Sequence, residues 1–227
     1  MKIAKNRIVI FAPHQDDEMI GCGGLIQRCV KDGLEVYIIY ATQVANEFVK
    51  YDNVKKEYIK YSGSERTEEM CVSCNLLGVD KEKISFLCPA EYHNNLYNFD
   101  FAELLQRIEQ KLIELDPDAI LLPAVSTNQD HEYYNRVILS ASRPGFYCGN
   151  LVEYEVENEK DFQPNYFVSL SEEELRNKIH AAEAYHTQNR GELSKLSGDS
   201  ISGVAIFRGY KIRTKYAEAF QILRLGD

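Results

Sequence analysis

Residues 7–18 read Arg7-Ile8-Val9-Ile10-Phe11-Ala12-Pro13-His14-Gln15-Asp16-Asp17-Glu18. A short β-branched run closed by Ala-Pro is the pattern of a buried strand. Met19 to Val30 then reads as a helix with Gly21, Gly23 and Gly24 in its first turns. Asp32-Gly33 makes a turn, and Glu35 to Thr42 is a second strand. Strand, helix, strand is one βαβ unit and predicts a parallel sheet. Three acids and an imidazole therefore stand at the C-terminal end of a core strand, where open α/β sheets collect their ligand sites.

Further along, residues 43–63 are polar and rich in Tyr and Lys, and read as a loop with a short helix and lid character. Ser64-Glu65-Arg66-Thr67 opens a helix that Gly78 ends. Residues 84–87 form a strand, 88–99 a Tyr/Asn-rich loop, 101–115 an amphipathic helix stopped by Asp116-Pro117, and 119–123 a third core strand. A helix over 130–142 follows. Beyond Gly145 the pattern predicts strands at 151–157 and 166–168. A helix capped by Ser171-Glu172-Glu173-Glu174 runs to about Tyr185. Residues 188–203 read as irregular, 204–207 as a short strand, and the chain closes on Tyr216 to Leu225. No linker divides it, so one α/β domain over 1–227 with a mixed C-terminal part is expected.

Composition narrows the function. The 227 residues carry 35 acids against 26 Lys and Arg, a net charge of −9. That argues against nucleic acid as the main partner, because phosphate binding needs clustered cations. A hydrophobic content of 44% with 27% charged residues is globular rather than disordered. No run reaches the ~18 apolar residues of a membrane span, and the apolar stretch behind Met1–Arg7 is too short for a signal peptide. A cytoplasmic protein is expected. The six cysteines lack a compact disulfide spacing, and Cys71-Val-Ser-Cys74 has no second pair to complete a zinc site, so buried or helix-face thiols are expected there.

The chemistry gathers in two clusters. One is His14 to Glu18. The other, Asn128-Gln129-Asp130-His131-Glu132, also follows a core strand and precedes a helix. If the two strands are neighbours, His14, Asp17 and His131 supply two imidazoles and a carboxylate, with coordination positions left for water and substrate, as a catalytic zinc site requires. Asp16 then stays free as a base. Packed carboxylates need a cation among them, and a metal ion is the simplest one. Alone, either cluster reads as helix capping, with Asp16, Asp17 or Asp130 at a helix N-terminus. Two clusters after two apolar strands favour metal. Gly21-Cys22-Gly23-Gly24 lacks the dinucleotide-binding spacing and reads as close helix–sheet packing.

These motifs resemble the PIG-L/LmbE-like metal-dependent de-N-acetylases. Pro13-His14-Gln15-Asp16-Asp17-Glu18 matches the first motif of that family. Arg66-Thr67-Glu68-Glu69 with Leu77-Gly78 matches its Arg-x-x-Glu helix, and Asn128-Gln129-Asp130-His131 aligns with its His-Pro-Asp-His. Lys178 to Gln188, Arg208-Gly209 and Tyr216-Ala217-Glu218-Ala219-Phe220 match the C-terminal signatures. The resemblance covers most of the chain and implies a Rossmann-like three-layer α/β sandwich with a mostly parallel sheet. It further implies zinc on His14, Asp17 and His131, with ferrous iron as an alternative ion. Asp16 would be general base and then acid, Asp130 a further catalytic group, and Arg66 a substrate contact. The implied substrate is a small-molecule amino sugar or glycoconjugate carrying an N-acetylglucosaminyl group, and a homo-oligomer is compatible with what such relatives do.

Asn128 departs from the family's His at that position. It can donate a hydrogen bond to an oxyanion but carries neither charge nor proton. Losing such a donor outright costs ~3–4 kcal/mol of transition-state stabilisation, and a neutral donor retains part of it. The departure leaves a second reading, a catalytically weakened sugar-binding or regulatory member of the fold, against which an intact Asp16 counts. A non-haem iron triad fits the ligand types but not a chain that begins βαβ. His93, His180 and His186 remain as spare ligands or ordinary surface residues, with His186 free to enter the site.

Overall fold

The computed structural model describes residues 3–52, 55–157, 159–188, 191 and 194–226. Met1 and Lys2 of the N-terminal stretch, residues 53–54 of the polar segment, and residues 189, 190, 192 and 193 of the stretch read as irregular lie outside the described residues. The first strand, β1 (Arg7–Ala12), pairs in parallel with β2 (Glu35–Thr42) on one side. The first helix, α1 (Asp17–Lys31), joins the two. Alternate residues of β1 point to opposite faces. Ile8, Ile10 and Ala12 join one apolar cluster, and Val9 and Phe11 join another. Burial on both faces is why the strand reads as an unbroken apolar run.

After β2 comes a hairpin, β3 (Glu47–Asp52) with β4 (Glu57–Ser62), where a loop with a short helix was expected. Residues of β3 alternate between exposed and half-buried, and Phe48 stacks on Tyr61. That period-2 pattern was hidden by Lys and Tyr occupying both faces. Gly63 then starts α2 (Gly63–Leu76), with Ser62 rather than Ser64 as its cap. A Cβ at Gly63 would come within 2.1 Å of the Ala45 carbonyl oxygen, so only glycine lets the hairpin close there.

The remaining elements are β5 (Ile84–Cys88), α3 (Phe101–Leu115), β6 (Ala119–Pro123), α4 (Gln129–Ala141), β7 (Asn150–Tyr154), β8 (Tyr166–Leu170), α5 (Glu172–Glu183), α6 (Gly198–Lys211) and β9 (Tyr216–Arg224). The sheet runs β5-β2-β1-β6-β7-β9-β8, parallel except where β9 pairs with β7 and β8. Helices α1, α2, α5 and α6 contribute to one apolar cluster, and α3 and α4 to the other. The result is a three-layer α/β sandwich. The short strand expected at 204–207 is instead the middle of α6. Ser197 caps that helix by accepting from the Ser200 N–H, and the cap overrides the β-branched residues Val204 and Ile206. No helix among the described residues is long and apolar enough to cross a membrane.

Helix α1 is fixed from its middle. The Glu218 carboxylate on β9 accepts from the Gly24 and Leu25 N–H groups at 2.7 and 2.8 Å. Lys178 on α5 donates to the same carboxylate and to the Ile20 carbonyl, both at 2.6 Å. A Cβ on Gly24 would meet Leu170 at 2.4 Å and Glu218 at 3.1 Å, so the glycines do serve close packing. Lys178 and Glu218 are each 5% exposed. Removing one member of a buried ion pair strands the other, at about 3–5 kcal/mol. Glu218→Ala is expected to lose that much in urea unfolding; a loss under about 1 kcal/mol, the value of a surface pair, would contradict this role.

Candidate functional site

Strand β1 lies between β2 and β6, which makes the β1/β6 boundary the point where the strand order reverses. The crevice beyond the carboxyl ends of such strands is where this architecture places ligands. The segment 13–16 leaves β1 there and enters α1, and residues 124–128 leave β6 and enter α4. The two polar clusters meet, with His14, Asp16, Asp17, Asp130 and His131 all buried.

His14, Asp17 and His131 offer ligand atoms that lie within 4.8 Å of one another. Asp17 Oδ2 is 3.3 Å from His14 Nδ1 and 3.2 Å from His131 Nε2. Ligands on a tetrahedral ion with bonds of ~2.0–2.1 Å sit ~3.3 Å apart, so the residues present fit a divalent metal. The other nitrogen of His14, Nε2, bonds to Asp130 Oδ2 at 3.1 Å, and Asp130 Oδ1 accepts from the Leu96 N–H at 3.0 Å. A carboxylate behind a ligating imidazole fixes its orientation and tautomer. Burial pulls the His14 imidazole down, but its hydrogen bonds to Asp130 and Asp17 outweigh that and bring it to about 9.

Asp16 faces elsewhere. Its Oδ2 lies 3.2 Å from Arg66 and 3.6 Å from Lys195. Burial pushes Asp16 up, yet Lys195 and Arg66 outweigh it and hold the carboxyl below its usual value. Arg66 reaches in from α2, donates to the Gln15 carbonyl and lies over the Tyr185 ring at 4.9 Å. Asp17 and Asp130 do stand in the first turns of α1 and α4, where negative charge is favourable, but neither Asp16 nor Asp130 makes the side-chain cap. Asp16 is the N-cap residue of α1 but its side chain makes no capping bond, and α4 is capped by Asn128, whose Oδ1 accepts from the Asp130 N–H at 2.9 Å. The neighbouring Glu18 is fully buried, accepts from the Tyr185 hydroxyl at 3.0 Å, and is pushed by burial up to about 7.

Two further residues stand at the site, Lys195, which was not read from the sequence, and His93, one of its spare imidazoles. Lys195 approaches Asp17 Oδ1 at 3.7 Å and Glu157 at 3.8 Å. A lone Lys in a Gly/Ser-rich stretch gives no local signal. His93 lies against His14, ring centroids 5.2 Å apart, and burial followed by His14 and Arg66 pushes it down to about 3. His186 does not join the triad. It is exposed and bridges Glu65 at 3.3 Å and Glu69 at 3.1 Å. Cys71 and Cys74 are free thiols on α2.

The pattern of the family described as PIG-L, GlcNAc-PI de-N-acetylase, matches residues 9–142, more than half of the chain. The chain belongs to the PIG-L family. Among solved structures it is similar to the N,N'-diacetylchitobiose deacetylase of Pyrococcus horikoshii, with TM-score 0.76, 21% identity, and coverage of 96% of this chain and 84% of that one. It is also similar to a zinc-inhibited form of the teicoplanin deacetylase Orf2, with TM-score 0.70, 15% identity and coverage of 96% and 97%. GalB, the 4-carboxy-2-hydroxymuconate hydratase of Pseudomonas putida KT2440, has TM-score 0.74, 15% identity and coverage of 98% and 99%. At these identities the likeness shows the fold. No curated protein sequence matches the chain significantly.

The position of Asp130 in this PIG-L chain generates a test. Asp130→Asn keeps an acceptor for Leu96 but removes the charge behind His14. Metal affinity, measured by competition with a chromogenic chelator, is expected to fall about 10–100-fold. Unchanged affinity would remove Asp130 from the support of this site.

Proposed function

We propose that this protein is a metal-dependent de-N-acetylase that removes the acetyl group from an N-acetylglucosamine-containing small molecule or glycoconjugate in the cytoplasm. The observation that carries the reading is the convergence of His14 Nδ1, Asp17 Oδ2 and His131 Nε2 beside an acid, Asp16, that faces Arg66 instead of the triad. The family match supports amide hydrolysis on an amino sugar. Zinc is the ion we favour, because one carboxylate and two imidazoles suit it and leave coordination free; ferrous iron takes the same donors. When bound, such an ion lowers the pKa of a water towards ~7 and polarises the acetamide carbonyl.

The chain's own residues do the rest. Asp16, kept ionised by Arg66 and Lys195, accepts the proton of the attacking water as its oxygen bonds to the acetyl carbon. The C–N bond then breaks, and protonated Asp16 returns the proton to the departing amine, giving acetate and the free amino sugar. Asp130 holds His14 in the tautomer that turns Nδ1 towards the ion. Arg66 fixes Asp16 and offers a cationic edge to the substrate. In this reading Asn128 contributes chiefly through the cap of α4, and its amide N–H remains available to the acyl oxygen.

Primary-amine release from a panel of N-acetylglucosaminyl compounds tests the proposal, with Asp16→Asn, Asp17→Ala and a chelator as controls. Metal-loaded protein should release amine. Asp16→Asn should retain metal and lose turnover by at least ~100-fold, the lower range for a positioned acid–base group, and Asp17→Ala should lose metal as well. Equal metal loss in both variants would contradict the separate roles. Metal bound with no release from any compound would favour the sugar-binding reading.

A further inference from the structure

We propose that His93 is a further catalytic residue of this site, presenting its Nε2–H to the acyl oxygen of the substrate as that oxygen gains negative charge. The inference rests on the de-N-acetylase reading and adds a residue to it.

Thr42 is the last residue of β2. Its side chain is buried, 1% exposed, and Thr42 pairs in register with Cys88 at the end of β5. The chain after β5 therefore starts beside it and carries His93 back, so that His93 Nδ1 lies 3.2 Å from Thr42 Oγ1. That contact is the one hydrogen bond of the Thr42 hydroxyl among the described residues. A buried hydroxyl has a proton to place, and among the described residues Nδ1 is the acceptor it meets. The proton of the neutral imidazole is then on Nε2. Among the described residues Nε2–H has no acceptor, although the ring is half-buried and stands edge-on to His14 at 5.2 Å and 80°.

The loop bearing His93 is pinned rather than loose. Gln129 donates to the Asn94 carbonyl at 2.8 Å, the Leu96 N–H bonds to Asp130 at 3.0 Å, and Tyr92 packs edge-on against Phe99 at 4.9 Å. These anchors tie His93 to the segment that carries His131 and Asp130. Two other groups can also donate: Arg66, whose Nη2 serves Asp16 and the Gln15 carbonyl, and the exposed Asn128, whose side-chain oxygen is spent on the α4 cap while its amide N–H is not. His93 differs from both in standing directly against His14. A fixed N–H donor aimed at developing charge stabilises a transition state without reorganisation.

The test compares His93→Phe, which keeps a ring against His14, with Thr42→Val and Thr42→Ser in metal-loaded protein. His93→Phe should keep its metal and lower kcat by about 100-fold, the effect of deleting one oxyanion donor, with KM little changed. Affinity for a tetrahedral phosphonate analogue of the acetamide should fall in parallel, while affinity for the product amine should not. Thr42→Val should lose part of the rate and Thr42→Ser should restore it. Nitrogen NMR of imidazole-labelled protein, which needs neither metal nor substrate, should show His93 as the Nε2–H tautomer. Wild-type kcat in His93→Phe, equal losses of analogue and amine binding, or an Nδ1–H tautomer would each overturn the proposal. Failure of the wild type to release amine from any substrate would count against the de-N-acetylase reading alone, and the tautomer would still decide the assignment of His93.

Discussion

The structure depends on burying carboxylates at one sheet edge. Asp16, Asp17, Glu18 and Asp130 are each no more than 3% exposed, at the one place where the ends of β1 and β6 face each other. Anions taken out of water must be paired, protonated or matched by a cation. Here all three solutions occur. Arg66 and Lys195 hold Asp16, two imidazoles flank Asp17, and Glu18 is pushed up to about 7 by burial and accepts the Tyr185 hydroxyl. A divalent ion on His14, Asp17 and His131 would add charge of the sign the edge calls for.

Much of the surrounding architecture serves to bring those compensating groups in. Arg66 is on α2, and α2 is tied to the turn after α5 by Glu69, which accepts from the Thr187 N–H at 2.7 Å and hydroxyl at 2.6 Å. Helix α1, which carries Asp17, is held by the Lys178–Glu218 pair across α5 and β9. Arg208 on α6 grips Glu155 through two nitrogens, at 3.0 and 2.6 Å, just beyond Tyr154, whose hydroxyl bonds to the Phe11 carbonyl at 2.9 Å. The motif residues of the C-terminal half thus act on the scaffold of the site, and only those of the first two clusters and Arg66 reach its centre.

This division explains what was legible in the sequence. The βαβ start, the amphipathic α3 and the strand at 119–123 carry strong apolar periodicity, and both halves of the site sit directly after apolar strands, so His14, Asp16, Asp17, Asp130 and His131 could be read. Arg66 could be read only through the resemblance, because its approach to Asp16 is a tertiary fact. The hairpin was hidden because its Tyr and Lys residues occur on both faces. Helix α6 was hidden because β-branched residues outweighed its Ser197 cap. Asn128 reads as an altered catalytic residue in one dimension, and its cap bond to Asp130 is visible only in three. Lys195 and His93 come from loops, where the fold rather than the neighbouring sequence decides what a side chain meets.

The central claim is that one ion is held by His14, Asp17 and His131 while Asp16 stands apart from it. Anomalous diffraction at the zinc edge from crystals of metal-loaded protein tests this most directly. The account predicts a peak bonded to His14 Nδ1, Asp17 Oδ2 and His131 Nε2, with Asp16 outside the coordination shell and still paired with Arg66. A peak ligated by Asp16, or one between Glu65, Glu69 and His186 with the triad empty, would contradict it.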